Sequence, residues 1–276
     1  MSIRILTDTS SDFDYAALND RPVDMVSMAI TVDDKSYSDG IDITRTEFYD
    51  MLLSDELTPK TSQPGPGDFL PHFEKAQENG DDLIVILISG KLSGTLQSAM
   101  TAKALCGYDR IFIIDSQCAT WAIQLMVADA ERMAAEGIPA ETIVNHLESL
   151  KKRVRIYLGI DTLKYLYRGG RLSAVEAGIG ALTGVRPLLC LKDGKLEVAA
   201  KCIGAKKAQK KLAKIISSFK MDPAYEPCFI YSYEDANARS LQDLLPVVSD
   251  RILEIGATLA THAGPRIYGL VFIEAE

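Results

Sequence analysis

Short apolar runs of strand length alternate along this chain with longer segments in which apolar residues recur every three or four positions. In the first half, residues 3–7, 25–32, 83–88 and 110–114 read as strands, and residues 44–53, 96–105, 119–135 and 140–150 as helices. Thr44-x-x-Glu47 is a capping box, in which hydroxyl and carboxylate satisfy backbone N–H groups that a first helical turn leaves open. Gly137, with Pro139 beyond it, ends the third helix. In the second half, residues 156–160, 228–233 and 267–273 read as strands, and 205–219 and 237–248 as helices. Residues 188–191 and 196–202 flank Asp193-Gly194, the strongest short-range hairpin pattern in the chain. No internal repeat of fixed period is present.

Strands alternating with helices predict an α/β protein. The first half should hold a mostly parallel sheet flanked by helices, and the second a mixed sheet, because the hairpin brings antiparallel pairing. The 276 residues exceed what one core usually organises, so two domains are expected, residues 1–150 and 151–276. The boundary sits at Lys151-Lys152-Arg153, where the charge changes character. The 56–70 loop is expected to pack against either domain.

The charge balance is −8 overall but uneven: residues 1–150 carry 25 acidic and 10 basic side chains, residues 151–276 carry 13 and 20. An acidic chain lacks the basic surface that phosphate contacts need, which argues against nucleic-acid binding. The asymmetry reads first as two solvated surfaces that differ by drift, and it also suits a second half that meets an anionic partner or headgroup. No run approaches the length of a membrane span, and Met1 to Ile5 lacks the charge and apolar length of a leader, so a cytoplasmic protein without stable membrane insertion is expected. Five scattered cysteines with no C-x-x-C pair indicate neither a disulfide framework nor a zinc site.

Candidate chemistry concentrates at residues 83–99, where a buried strand passes through Ser89-Gly90-Lys91-Leu92-Ser93-Gly94-Thr95 into a helix. In an open α/β sheet ligands bind at such carboxyl ends, beside a helix N-terminus that attracts anions. Ser93 and Thr95 supply hydroxyls, and Gly94 permits close approach to the backbone. Capping by Ser93 accounts for one hydroxyl but not for the doubled Ser-Gly pairs. No G-x-x-x-x-G-K-[ST] or early G-x-G-x-x-G occurs, and Gly178-Ile-Gly180 reads as helix packing or a turn. An acyl hydrolase with Ser93 as nucleophile is the enzyme alternative, although residues 90–94 are not the G-x-S-x-G elbow. His72 and His146 fall in helical patterns and read as surface positions; His262 reads as a loop residue before the last strand. Residues 60–68, bounded by Pro59 and Pro64 and therefore rigid, present Thr61 and Ser62 as adjacent hydroxyls on what reads as a domain-crossing loop. A short helix is expected to end at Gly169-Gly170, with Arg171 either paired with a carboxylate or, the favoured reading, facing solvent.

Taken together, Ile5-Leu-Thr-Asp-Thr-Ser-Ser-Asp12, Gly40-Ile-Asp-Ile43, Lys60-Thr-Ser-Gln-Pro64, Leu92-Ser-Gly-Thr95 with Gln97-Ser-Ala99, Ile114-Asp-Ser116, Gly169-Gly-Arg171 and His262-Ala-Gly-Pro265 resemble the DegV family of bacterial fatty-acid-binding proteins. The resemblance implies a two-domain protein, without cofactor or metal, that buries one long-chain fatty acid such as palmitate between its domains. It implies that Thr61 and Ser93 bind the carboxylate, with Ser62, Gly94 and Thr95 around them and His262 near the same end. It further implies no chemistry by the protein itself, but presentation of the acyl carboxyl to a partner fatty-acid kinase that forms an acyl phosphate. Arg171 and Arg266 are candidates for the partner or phosphate contact, since guanidinium groups bind phosphate oxygens bidentately. Arg266 also departs from the family pattern, which commonly has a small residue there.

Overall fold

The computed structural model describes residues 2–54, 58–172, 184–247 and 249–276. In chain order the first elements are β1 (Ile3–Asp8), β2 (Val23–Val26), β3 (Ala29–Val32), β4 (Lys35–Ser38), α1 (Arg45–Leu53), β5 (Lys60–Ser62), α2 (Pro66–Asn79) and β6 (Asp82–Leu87). Then come α3 (Thr95–Cys106), β7 (Ile111–Asp115), α4 (Trp121–Ala135), α5 (Ala140–Leu150), β8 (Val154–Ile160) and α6 (Lys164–Arg168). The chain continues with β9 (Val185–Lys192), β10 (Lys195–Ile203), α7 (Ala205–Ile216), β11 (Cys228–Tyr231), α8 (Ala236–Gln242), β12 (Ile252–Glu254), α9 (Ala257–Ala263) and β13 (Ile267–Ile273).

Two compact units result, residues 1–44 with 61–152, and residues 45–60 with 153–276. In the first, β2-β1-β6-β7 form a wholly parallel sheet. Its strands are apolar on both faces because helices cover both. Leu6, Val85 and Leu87 meet Phe69 and Phe73 of α2 and Ala99 and Ala102 of α3, and α4 and α5 lie against the same strands with Ile123, Met126, Val127, Ile143 and Leu147 fully buried. Each such side chain contributes about 1.5–3 kcal/mol of burial.

The expected single strand at 25–32 is in fact two. The chain breaks at Ser27-Met28, where Met28 N–H donates to Thr9 Oγ1 (3.1 Å) and Ser27 Oγ donates to the Asp39 carbonyl (3.0 Å). β3 then turns into β4 through Asp33-Asp34, both at positive φ, as a tight hairpin requires. With β5 these strands form a separate sheet in the order β4-β3-β5. Residues 60–68 do carry the chain from one unit to the other, but as a strand and a helix start rather than a loop: Gly65 occupies the N-cap of α2, Pro66 its first position, and Asp68 accepts from Gly65 N–H (2.7 Å).

The second unit holds a six-stranded sheet, β10-β9-β8-β13-β11-β12, antiparallel except at β11/β12. Asp193 and Gly194, at φ 47° and 80°, make the β9–β10 turn. Leu212 and Ile216 of α7, Leu241 of α8, and Leu188, Phe229, Leu270 and Phe272 of the sheet form its core. α8 is shorter than the expected 237–248; position 248 lies outside the described residues, as do Gly178-Ile-Gly180.

The division of the chain falls after Lys152 rather than at 150, and residues 45–60, with α1, belong to the second unit. Phe48, Tyr49 and Leu52 of α1 are buried, and the Tyr49 hydroxyl donates to the Ile255 carbonyl (2.9 Å). The capping box marks the start of that helix but is silent about which core receives it. His72 and His146 are half-buried rather than surface residues, against Asp24 (3.9 Å) and Asp129 (2.7 Å) respectively. Among the described residues no helix is long and apolar enough to cross a membrane.

Candidate functional site

In the parallel sheet, β1 connects to β2 on one side and the later strands β6 and β7 add on the other, so the strand order reverses between β1 and β6. The crevice outside the carboxyl ends of those two strands is where open α/β sheets place ligands. β1 ends there in Thr7-Asp8-Thr9-Ser10-Ser11-Asp12, all buried, and β6 ends in the loop that carries Ser93.

Asp8 ties the two ends together. Its carboxylate accepts from Ser10 N–H (2.9 Å), from the Ser10 hydroxyl, and across the sheet from Ile88 N–H (2.9 Å). Complete burial pushes the Asp8 pKa up, against the opposing pull of those donors. The loop beyond then coils on itself. Ser89 N–H donates to the Cys118 carbonyl (3.0 Å), the Ser89 carbonyl accepts from Leu92 and Ser93 N–H (2.9 and 3.1 Å), and Ser89 Oγ accepts from Lys91 N–H (3.2 Å). On the β7 side, Asp115 Oδ1 accepts from Gly90 N–H (3.1 Å) and Gln117 N–H (3.0 Å).

This brings Ser93 to the start of α3. Gly94, not Ser93, is the N-cap, so simple capping does not describe the serine. Ser93 Oγ lies 2.8 Å from Thr95 Oγ1 and accepts weakly from Thr95 N–H (3.3 Å). Thr95 is fully buried and Ser93 half-buried, so the pair has a fixed inner member and an accessible outer one. An anion here meets hydroxyl donors and the positive end of a twelve-residue helix.

Thr61 and Ser62 lie on β5, Thr61 half-buried and Ser62 exposed. Gln63 joins this strand to α3: its Nε2 donates to Ser98 Oγ (3.3 Å), and its amide lies over Gly94. A Cβ built on Gly94 would stand 2.1 Å from Gln63 Oε1. Gln63, next to the Thr61-Ser62 pair, thus reaches the first turn of α3 that follows Ser93. Asp8, Gln63 and Asp115 stand within the stretches 5–12, 60–64 and 114–116 that carry the family resemblance, but the sequence assigns them no role; the glycine beside the serine marks a close approach without naming what approaches.

Among the described residues of the first unit, no histidine is hydrogen-bonded to Ser93. Its hydroxyl is engaged by Thr95, and both histidines of the unit are held by carboxylates elsewhere.

His262, in the second unit, is in the last turn of α9 rather than in a loop. Its ring lies on Gly169, where a Cβ would come within 2.1 Å of Nδ1. Arg171 is half-buried, not solvent-facing, and donates to the Gly169 carbonyl (2.5 Å). Burial, with the Arg171 charge, pushes the His262 pKa down to about 4, so its ring is neutral at neutral pH. Arg266 is exposed, 3.7 Å from Asp161, whose other oxygen pairs with Arg186 (2.7 Å). It borders a cleft of ≈ 260 Å³ shared with Leu52, Tyr165 and Gly264. Among the described residues no group of three or more His, Cys, Asp or Glu could hold a metal ion.

The family model described as "Uncharacterised protein, DegV family" matches residues 2–275. A DegV domain-containing protein of Caldanaerobacter subterraneus subsp. tengcongensis is 35% identical, over 99% of this chain and 99% of its own. Among solved structures, a fatty-acid-binding DegV family protein from Thermus thermophilus superposes with a TM-score of 0.89 at 31% identity, covering 100% of both chains. A stearic-acid-binding protein from Eubacterium ventriosum superposes with a TM-score of 0.87 at 27% identity, covering 99% of this chain and 98% of that one.

Proposed function

This chain belongs to the DegV family, and from that premise we propose that it binds one long-chain fatty acid and does no chemistry on it. The observation that carries this reading is the Ser93–Thr95 hydroxyl pair at the N-terminus of α3, at the point where the strand order reverses. Ser93 and Thr61 donate to the carboxylate, with Ser62, Gly94 and Thr95 around them. Hydroxyls and helix N–H groups suit a carboxylate that must be released: they bind the charge without a buried cation whose desolvation would have to be offset. The tail supplies most of the affinity. About 14 methylenes at about 0.8 kcal/mol each give roughly 11 kcal/mol before ordering costs.

In this reading the bound acid is presented to a partner kinase, which forms the acyl phosphate. Of the two arginines considered for that contact, Arg266 is the exposed one; Arg171, half-buried on Gly169, is better placed to hold the ground around His262. Arg266→Ala should leave fatty-acid binding unchanged and lower acyl-phosphate formation with the cognate kinase, most visibly at low salt.

Native mass spectrometry of the purified protein tests the central claim. The expected result is a mass increment of one fatty acid that denaturation removes. On delipidated protein, Thr61→Val and Ser93→Ala should each weaken palmitate binding by about ten- to a hundredfold, the loss of a hydrogen bond to a charged group. An unchanged mass after incubation with palmitate and oleate would sink the reading, and ester turnover abolished by Ser93→Ala would replace it with a hydrolase.

A further inference from the structure

The hydroxyl of Ser93 is useful only if its loop holds one pose, and the structure shows two carboxylates, from the strands on either side of β6, gripping that loop by its backbone. Asp8, at the end of β1, takes Ile88 N–H (2.9 Å). Asp115, at the end of β7, takes Gly90 N–H (3.1 Å) and Gln117 N–H (3.0 Å) through one oxygen. Between these anchors the chain turns from strand to helix in the few residues that carry Ser93.

Asp115 is itself held. Its backbone carbonyl accepts from Lys151 Nζ (3.0 Å), whose side chain is only 9% exposed. Gln117, its second donor, adopts a positive φ of 53°, a conformation that a non-glycine residue keeps only when its surroundings impose it. Gly90 has little room to move: a Cβ there would stand 2.9 Å from Leu96 Cδ2 and 3.4 Å from Asp115 Oδ2. The carboxylate therefore couples the β7 end, through Gly90, to the first turn of α3.

We propose that Asp115 is a positioning residue for fatty-acid binding: it touches no ligand, and it fixes the 88–95 loop so that Ser93 Oγ faces the carboxylate. This rests on the reading that Ser93 binds the headgroup. Asp8 does the same from the other side, but its complete burial makes its variants poor probes. Asp115 is only half-buried, and both its bonds use Oδ1, so Asp115→Asn can keep both acceptor contacts through its amide oxygen while Asp115→Ala loses them.

The test is palmitate affinity of delipidated wild type, Ser93→Ala, Asp115→Ala, Asp115→Asn and the double variant Ser93→Ala/Asp115→Ala, with thermal unfolding measured on each. Asp115→Ala should bind roughly three- to tenfold more weakly than wild type. Asp115→Asn should recover to within about twofold, and the double variant should bind no more weakly than Ser93→Ala alone, because a positioning residue has nothing left to position. Asp115→Ala at wild-type affinity, Asp115→Asn as weak as Asp115→Ala, or additive losses in the double variant would each overturn the proposal. Failure of the underlying reading shows separately, in wild type that does not bind or Ser93→Ala that binds as wild type does.

Discussion

Gly94 illustrates how a missing side chain organises this site. Its φ of −79° is open to any residue, so conformation alone does not demand glycine; the Gln63 amide over its Cα does. Gly94→Ala should leave the melting temperature nearly unchanged, because the clash is with the end of a flexible side chain. It should weaken palmitate binding roughly three- to tenfold by displacing the link between the Thr61 strand and α3. Gln63→Ala should lose a similar factor, and the double variant should lose no more than either single change. Wild-type affinity in both single variants would remove Gln63 from the account. His262 gives a pH prediction. Its folded pKa, about 4, lies below the ordinary value of 6.5, so between those values the unfolded chain binds more protons. Stability is therefore full above about pH 6.5 and falls as the pH drops toward 4, by roughly 3 kcal/mol at about 1.4 kcal/mol per tenfold change in protonation ratio. Denaturant unfolding of wild type and His262→Gln from pH 7.5 to 4.5 should show the steeper decline in wild type; parallel curves would mean that the imidazole is not buried neutral.

At the scale of elements, legibility followed local chemistry. The Asp193-Gly194 turn was readable because both residues must take positive φ, and they do, at 47° and 80°. Gly194→Ala should accordingly cost about 1 kcal/mol, seen as a lower melting temperature with the same fold by circular dichroism; no loss would contradict the turn geometry. Residues 25–32 read as one strand because two short strands separated by Ser27-Met28 share one apolar pattern, and only the partners of that dipeptide, Thr9 and Asp39, reveal the break. β5 has no local signature for a related reason: three polar residues form a strand when a neighbouring edge accepts them, and propensity carries no trace of the edge. His262 reads as a loop residue because α9 is only seven residues long, too short for a periodic pattern.

For the whole molecule, the most consequential feature is the exchange of residues 45–60 into the second unit. Tyr49→Phe should destabilise the protein by about 1–3 kcal/mol, since it leaves the Ile255 carbonyl without its buried donor. A fragment of residues 153–276 should bind a hydrophobic dye, and adding residues 45–60 at its N-terminus through a flexible linker should suppress that binding; a dye-silent 153–276 fragment would show that α1 is dispensable to this core. The sequence by itself determined the two α/β layers, the parallel and mixed sheets, the hairpin, and the Ser93 and Thr61 hydroxyl clusters, because each is written in local period, turn chemistry or residue type. Tertiary structure alone decided which core takes α1, that Gln63 joins β5 to α3, and that Asp8 and Asp115 hold the Ser93 loop. Those contacts join residues up to 206 positions apart, and the energy of a long-range contact depends on the partner it finds, which no local pattern encodes.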